Sequence, residues 1–505
     1  MTPLEPSGTS SGSPAPRERG IHGRLGTKDV VLATLAYTGP LTGTAGYITF
    51  IIAYGNGLGA PSAFIPVTLA FLLFAFGYGA MTRYVPNPGA FYAYITAGLG
   101  RVPGLGSAFL IMGAYLAIGV GFYGFAGLAA EEFITGHGGP EIPWWLLSLV
   151  FWTIVSSLAY FHIEVSAKVL GVLLIAEIIA IAIFDGAVFA QGGPEGVSTQ
   201  VFSWQNFTSG QLGIALVFGA ALFAGFEATA IYREEVRDPH KTIPRATIIV
   251  ALFVGILYIV TSWALITGLG YSQAVEKAGA DPSGAFFSVA TEYTNRVFYD
   301  VTSVLLLTSV LAAALAIQNV TTRYVYSMAI DGIFPRSLGV AHARHRSPSR
   351  ASVTVSAAYL ILTAIAVISG LSAQNIYGWF AGIASEATLA AMALTSFAAF
   401  MYFRRNRHHE VSRWSGTIAP ALAALSLVTF VFLGAKNFAS LIGGSQTLAS
   451  IMLAAIAATF VLGCTVALVL RRKAPHVYAR IGRQDLVTSP DEPGTLHPPA
   501  ARSAP

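Results

Sequence analysis

Three glutamates lie inside long apolar runs of this sequence. They are Glu177 in VLLIAEIIAI, Glu227 in FAGFEATA and Glu386 in GIASEATLAA. A charge at the centre of a bilayer costs about 2.5–3.5 kcal/mol on insertion scales, so such residues suggest a functional or paired group. A buried carboxyl that titrates near neutral pH can carry a proton, and one that stays ionised can pair with an ammonium group or Na⁺. This chemistry is typical of a membrane carrier.

The sequence leaves more than one role open for each carboxyl. Glu177, about ten residues into its run, is our candidate for ion coupling. Its alternative roles are pairing with a substrate amine or Na⁺ and a structural contact with the first apolar run. Glu227 is expected to cap exposed backbone amides or to bind a substrate amine, and Glu386 is a third candidate. Asp185 lies nearer the end of its run and is expected at the membrane interface.

The sequence gives no indication of an enzyme or a metal centre. The motifs HExxH and GxxxxGK[ST], which carry zinc-protease and nucleotide chemistry, are absent. The single cysteine, Cys464, excludes an intrachain disulfide and a cysteine metal cluster. We therefore expect no catalytic residue, no metal and no cofactor, with a proton, or alternatively Na⁺, as the coupling ion.

The composition indicates which elements must hold these side chains. Of 505 residues, 54% are hydrophobic and 10% are charged, whereas soluble domains usually carry about 25% charged residues. The apolar runs are long enough for helices and lack the alternation of barrel strands, so we predict an all-α polytopic membrane protein. The twelve predicted spans are 29–57, 62–85, 104–133, 143–162, 167–190, 211–232, 245–269, 299–330, 351–370, 377–402, 416–434 and 447–470.

The basic residues predict the orientation of these spans. With the N-terminus inside, the outer loops hold only Lys277, Arg296 and Lys436, and the remaining arginines of the connections lie inside. The positive-inside rule then places both termini in the cytoplasm and the chain in the plasma membrane. The net charge of +5 reflects this sidedness and does not indicate a nucleic-acid partner. We expect polar tails, 1–27 and 474–505, to be disordered.

Two of the predicted spans contain helix-breaking residues at matching positions. Span 1 reads YTGPLTGTAGYITF with Pro40, Gly43 and Gly46, and span 6 has Gly225 near its centre. An open backbone in a membrane must face a cavity or a ligand. Spans 1 and 6 are five helices apart, so a second five-helix unit would be inverted, which is the arrangement of many transporter sites. Close helix packing at small residues is the alternative interpretation.

The interrupted stretches define a candidate substrate site. Free amides at the start of a half-helix favour an anion such as a carboxylate, and free carbonyls favour an ammonium group or a cation. Two aromatic side chains in spans 3 and 6 could pack against an ammonium group. The candidate substrate-binding residues are Thr42, Gly43, Thr44, Ala45, Gly46, Tyr115, Phe223, Ala224, Gly225, Phe226 and Glu227.

Three stretches resemble the amino acid–polyamine–organocation (APC) superfamily, whose members share the leucine-transporter fold. They are NPGAFYAYITAGLGR at 87–101, FAGFEATAIYREEVRDPHKTIPRA at 223–246 and TTRYVYSMAIDGIFPRSLG at 321–339. The resemblance implies a ten-helix core of two inverted repeats, 28–402, followed by two peripheral helices in 403–473. It also implies secondary transport of amino acids or related amines.

The sequence departs from the superfamily pattern at two places. The usual Gly-rich GxG followed by Ile-Phe of span 1 is replaced by GPLTGTAGYI, which puts the shape of the pocket in question. Many proton-coupled members have a lysine where this chain has Glu177, so the charge at that position is reversed.

The function we expect is import of an amino acid or biogenic amine by alternating access, coupled to a proton. An exchanger and a Na⁺-coupled carrier are close alternatives. A membrane sensor that does not transport is a remote one, because the short tails offer no output domain. A channel is disfavoured because no charged ring or filter repeat is visible. The expected partners are a small-molecule substrate and the lipid bilayer.

Overall fold

The protein is helical throughout the part of the chain that the computed structural model describes, residues 25–85, 90–161, 167–223, 225–226, 229, 236–340, 348–406, 411–442 and 445–482. Within these ranges the only β pairing is an isolated parallel bridge between Leu25 and Val236. The predicted all-α class is therefore confirmed. The helices in chain order are α1 (Thr27–Thr38), α2 (Pro40–Thr42), α3 (Thr49–Tyr54), α4 (Ala60–Tyr84), α5 (Ala90–Leu99), α6 (Arg101–Gly136), α7 (Trp144–Tyr160), α8 (Ala167–Gln191), α9 (Trp204–Phe207), α10 (Leu212–Ala221), α11 (Pro239–Leu269), α12 (Ala274–Ala280), α13 (Ala285–Tyr293), α14 (Arg296–Ile330), α15 (Ser349–Ile368), α16 (Ala373–Arg405), α17 (Ala419–Leu441), α18 (Gln446–Lys473) and α19 (Pro475–Arg480).

Nine helical segments among the described residues are long and apolar enough to cross a membrane. Each coincides with one of the twelve predicted spans. The other three predicted spans correspond to shorter or broken pieces: α1 to α3, the 17-residue α7 and the 10-residue α10. The chain is thus a multi-pass membrane protein, while the count of twelve and the inverted repeats stay predictions.

Helix α6 lies at the centre of the bundle and α18 at its edge. In the most apolar window of α6, 78% of the residues are buried inside the protein, compared with 11% in α18. Helix α6 packs against α7, α14, α16 and α18. Between its polar ends α18 exposes large apolar side chains, among them Ile451, Val461 and Leu468, as expected for a helix that faces lipid.

Local sequence sets several helix boundaries. Pro61 and Pro239 occupy the first turns of α4 and α11, where a missing amide donor has no consequence. Ser372 and Ser445 cap α16 and α18 by accepting hydrogen bonds from the amides of Asn375 and Leu448. These caps stand at the end of the bundle opposite to the chain termini.

Both tails are shorter than the sequence predicted. The Arg237 amide donates to the Leu25 carbonyl at 3.2 Å, which attaches the start of the chain to the segment before α11. At the other end α19 is ordered, Ile481 is fully buried and the Gly482 amide donates to the Tyr92 hydroxyl at 2.6 Å. The prediction of disorder from residue 474 is therefore wrong up to Gly482, because this segment carries apolar side chains that pack against α5, α6 and α14.

Candidate functional site

The first membrane segment is broken at Gly39. Helix α1 ends at Thr38 and α2 begins at Pro40, with Gly39 between them at φ +56°. This left-handed conformation favours glycine, because a Cβ would be strained there. Pro40 has no amide donor, so the Leu41 amide is the first donor of the new helix and needs a partner outside it. The break thus lies directly before Pro40, the first of the three helix-breaking residues that the sequence indicated in span 1.

Glu177 supplies the partner that the broken segment needs. The Leu41 amide donates to its Oε2 at 3.1 Å, across 136 residues of sequence. Glu177 projects from α8 and is 5% exposed. A carboxylate at a helix N-terminus satisfies a free amide and favours the positive end of the helix dipole. The contact joins span 5 to span 1, which is the structural role named above as an alternative for Glu177.

Hydroxyl groups of α14 complete the surroundings of the break. The Thr42 hydroxyl donates to Ser309 Oγ at 2.9 Å, and both residues are buried. Pro40, Glu177, Thr308 and Ser309 line one small cavity with apolar residues of α8 and α14. Hydroxyl and carboxylate oxygens of this kind can hold a proton or coordinate a small hard cation.

The residues after the break form a widened helix rather than an unwound strand. Gly43–Ile48 is π-helical, and Thr42, Gly43, Thr44, Ala45 and Gly46 are all buried. The Thr44 hydroxyl donates to the Pro40 carbonyl at 2.9 Å. A π-helical turn leaves the regular ladder disturbed and often marks a functional site.

Two tyrosine hydroxyls approach the glycines of this π-helical segment. A Cβ on Gly43 would clash with the hydroxyl of Tyr258 from α11, and a Cβ on Gly46 would clash with the hydroxyl of Tyr377 from α16. Tyr258 is fully buried. The glycines therefore allow polar side chains to reach the backbone of span 1.

An aromatic cluster covers the far end of the π-helical segment. The Tyr47 ring meets the Phe218 ring edge-on with centroids 5.4 Å apart, and it meets the Tyr377 ring edge-on at 5.6 Å. Phe125 stacks on Tyr377 at 4.6 Å. Such rings can enclose an apolar substrate body or face an ammonium group.

The second break lies where the sequence predicted it, in span 6. Helix α10 ends at Ala221, and Gly225 follows at φ +95°. Phe223 and Phe226 are fully buried, and their rings pack on Phe71 of α4 with centroid distances of 4.4 and 5.6 Å. The rings of Phe223 and Phe226 therefore face α4. Two of the predicted site residues, Ala224 and Glu227, lie outside the described residues.

Tyr115 lies on another face of α6, towards α14 and α15. Its ring meets the Tyr324 ring edge-on at 5.7 Å, and its carbonyl accepts a hydrogen bond from the Tyr359 hydroxyl at 3.1 Å. The structure therefore groups the candidates differently from the sequence. Glu177 and residues 42–46 come together, whereas Tyr115 contacts the α14–α15 side.

Two further described carboxyls within the spans, Glu386 and Asp185, differ from Glu177. Glu386 is 3% exposed, and neither of its oxygens has a hydrogen-bond partner in the described part of the chain. Asp185 is 7% exposed and accepts a bond from the Thr261 hydroxyl of α11 at 3.0 Å. Helix α11 therefore covers Asp185, while its position at the membrane interface stays a prediction.

Sequence reasoning missed three polar residues that contact the first break or line its cavity: Thr308, Ser309 and Tyr258. Serine and threonine are ordinary components of membrane helices, so nothing in the run LLLTSVLAAA distinguished them. Tyr258 is one aromatic residue in a long apolar run. Only the packing of α11 and α14 against span 1 reveals their position.

Comparison with known proteins identifies relatives over most of the chain. A sequence model of the family described as amino acid permease matches residues 32–479. The branched-chain amino acid permease BcaP of Bacillus subtilis is 27% identical over 361 residues, 66% of this chain and 72% of the relative. The low-affinity putrescine importer PlaP of Escherichia coli K12 is 26% identical over 340 residues, again 66% and 72%. The aromatic amino acid transport protein AroP of the same strain is 23% identical over 292 residues, 56% of this chain and 62% of the relative.

Proposed function

This chain belongs to the amino acid permease family, and we propose from that premise that it imports an amino acid or biogenic amine across the cell membrane, coupled to protons. The family and its named relatives are permeases and not enzymes. The names of these relatives give branched-chain amino acids, putrescine and aromatic amino acids as their substrates. These compounds share an amine, so the amine is the group that we assign to the substrate.

The observation that carries the proposal is the capped break in span 1. Gly39 opens the helix, and Glu177 from another span accepts the amide that the opening frees. An interruption of this kind within a membrane segment needs a cavity or a ligand beside it. Gly225 gives span 6 a second interruption. Transporter sites built from two interrupted helices bind substrate between them.

We propose alternating access around these two breaks, with twelve spans and both termini in the cytoplasm. The basic residues of the connections support this orientation. Spans 1 and 6 would then be equivalent members of two inverted five-helix repeats. The substrate would lie beside Gly43–Ile48 and Gly225, with its amine facing backbone carbonyls and aromatic rings.

Glu177 is the residue to which we assign proton coupling. Its buried carboxyl contacts the broken helix directly, so a change in its protonation would alter the hydrogen bond that holds Leu41. Na⁺ is the second candidate for the coupling ion, because Glu177, Thr308 and Ser309 place oxygens around one cavity. Exchange without a coupling ion is the third.

Uptake by the purified protein in liposomes tests this proposal. Labelled leucine, phenylalanine and putrescine should be offered in parallel, each with an inward proton gradient, an inward Na⁺ gradient or unlabelled substrate inside. Accumulation above the external concentration only with the proton gradient is the expected result. Accumulation only with Na⁺, or only with internal substrate, would overturn proton coupling and identify the alternative.

A conservative variant then tests the assignment of Glu177. Glu177→Gln keeps an oxygen that can accept from Leu41 and removes the titration, so uptake should persist with a flattened pH profile. A pH profile that keeps the wild-type shape, with normal uptake, would remove Glu177 from the coupling role. Substrate-induced thermal stabilisation, measured in detergent, shows separately whether the variant still binds.

A further inference from the structure

A groove between α7 and α15 opens on the side of the bundle, away from the candidate substrate site. Its volume is about 200 Å³. Trp145 and Trp152 of α7 form one wall, Ala364 and Val367 of α15 form the other, and Tyr123 of α6 lies among its lining residues. The groove is at the end of the bundle opposite to the chain termini, because α7 begins there and α15 ends there.

Exposed apolar side chains line the groove and continue its surface onto the outside of the bundle. Trp145 and Leu149 of α7 are 47% and 40% exposed, and Ile368 of α15 is 85% exposed. In a multi-pass membrane protein such apolar side chains contact acyl chains. The medium that reaches the mouth of the groove is therefore the bilayer.

Two hydroxyl groups in the groove lack a hydrogen-bond partner within the described ranges. They are Tyr123 Oη and Thr363 Oγ1, and Tyr123 is 1% exposed. Ser148, which also lines the groove, is satisfied, since its hydroxyl donates to the Tyr123 carbonyl at 2.7 Å. A hydroxyl held in apolar surroundings without a partner is unfavourable, so this pair marks a place where an acceptor would be bound.

The behaviour of Thr363 is specific to its position. Threonines in these helices usually donate to the carbonyl four residues earlier, and Thr354 on the same helix does so to Arg350 at 2.9 Å. Thr363 has no such bond. Its hydroxyl is thus available to a ligand although it stands on a regular helix.

We propose that this groove binds one glycerophospholipid of the bilayer. An acyl chain fills the space between the two tryptophans and α15, and an ester carbonyl accepts hydrogen bonds from Tyr123 and Thr363. Trp145 is the second residue of α7 and Thr363 is five residues from the end of α15. This is the depth at which ester groups and interfacial tryptophans occur. The proposal stands whether or not the transport function does.

The test uses the quenching of tryptophan fluorescence by brominated acyl chains. The full-length protein in detergent is titrated with a phosphatidylcholine that carries dibromostearoyl chains. We expect a saturable component with one lipid per chain, and its loss in the double variant Trp145→Phe/Trp152→Phe. Native mass spectrometry of the same samples counts the retained lipid.

Single substitutions test the two hydroxyls and the space. Tyr123→Phe and Thr363→Val should each weaken the saturable binding about three- to tenfold, and Thr354→Val on the exposed face of the same helix is the matched control and should not change it. Ala364→Phe should abolish the component by filling the groove. Thr363→Val preserves the volume, so it keeps the test decisive if Ala364→Phe fails to fold.

Three results would overturn the proposal. Quenching that rises only in proportion to lipid, equally in the wild type and Ala364→Phe, would show ordinary contact with the bilayer. Tighter binding of free dibromostearic acid than of the phospholipid would reject the ester carbonyl as the acceptor. A dimer in light scattering that Ala364→Phe converts to a monomer would assign the groove to a second copy of the chain.

Discussion

Glu177 and Glu386 are the same side chain near the middle of two long apolar helices, α8 and α16, and both are hidden from solvent, at 5% and 3% exposed. Glu177 accepts a bond from the Leu41 amide at 3.1 Å. Glu386 has no partner among the described residues, and a Cβ on Gly434 of α17 would lie 2.5 Å from its Oε2. The burial of a carboxyl therefore does not identify its role, because the two differ only in what faces them.

The difference has a structural cause in the backbone opposite each carboxyl. Glu177 faces a helix that starts in mid-segment, since Gly39 and Pro40 end one helix and begin another. Such a start offers a free amide. Glu386 faces the continuous helix α17 at Gly434, where the backbone amides are already used within the helix. One carboxyl is thus matched to a chain break, and the other faces a helix that offers it no donor.

The largest expected effect comes from replacing each carboxyl by leucine. Glu177→Leu removes the acceptor of the Leu41 amide and should lower the free energy of unfolding by about 1–3 kcal/mol, with uptake reduced at least about tenfold. Glu386→Leu removes a group without bonds and should be neutral or stabilising. Thermal unfolding in detergent and liposome uptake measure both. Equal destabilisation by the two substitutions would contradict the comparison.

A second prediction concerns the break that creates the partner of Glu177. Gly39→Ala introduces a Cβ at φ +56° and 3.3 Å from Ser309 Oγ, so it should destabilise the fold by about 1–2 kcal/mol and lower uptake several-fold. Gly370→Ala is the matched control, because Gly370 has φ +77° and a Cβ there would meet no described atom within 4 Å. It should show a similar loss of stability with normal uptake. A loss of uptake in both variants would show that the break at Gly39 has no special role in transport.

These residues also show how far the sequence predicts the site. Pro40 and Gly225 correctly indicated two interrupted spans, since proline and glycine act through local backbone physics. The sequence could not decide among Pro40, Gly43 and Gly46 as the place of the first break, because the capping partner of the break, Glu177, lies 136 residues from Leu41.

Burial depends on neighbours in the same way. The sequence counted Asp185 near the end of its span and could not show that Thr261 of α11 donates to it inside the bundle. It offered Phe223 as a substrate contact and could not show that its ring packs on Phe71 of α4. Depth along a helix can be counted in the sequence, whereas the face that a helix presents to its neighbours is set by tertiary packing.

A third prediction sharpens the comparison within the Glu177 region. Ser309→Ala removes the acceptor of the Thr42 hydroxyl and should destabilise the protein by about 0.5–1.5 kcal/mol, with a KM for uptake raised a few-fold. Ser396→Ala is the control, because the Ser396 hydroxyl is equally buried and donates only to the Met392 carbonyl of its own helix at 3.0 Å. Its effect on KM should be negligible. A KM that rises in both variants would show that α14 has no special role.

The smallest effect is expected at a third carboxyl, that of Asp331. Asp331 directly follows α14, at the end of the bundle where α19 lies, and it accepts a hydrogen bond from the Tyr92 hydroxyl at 3.2 Å. Burial raises the pKa of Asp331 from its ordinary 3.8 to about 6, and the bond from Tyr92 opposes that rise. The folded state therefore holds the proton more tightly than the unfolded chain. Its stabilising contribution is complete below about pH 3.8 and is lost as pH rises through 6.

The variants at this third site test the same argument as the leucine pair. Asp331→Asn should remove the decline in melting temperature between about pH 4 and 6 that wild type shows, so the two melting curves diverge as pH rises. Tyr92→Phe removes a bond that favours the ionised carboxylate and should move the decline to higher pH. Melting temperatures at half-unit pH steps measure both. A parallel pH dependence in wild type and Asp331→Asn would mean that one partner is enough to offset burial, and the contrast between Glu177 and Glu386 would then rest on the chain break alone.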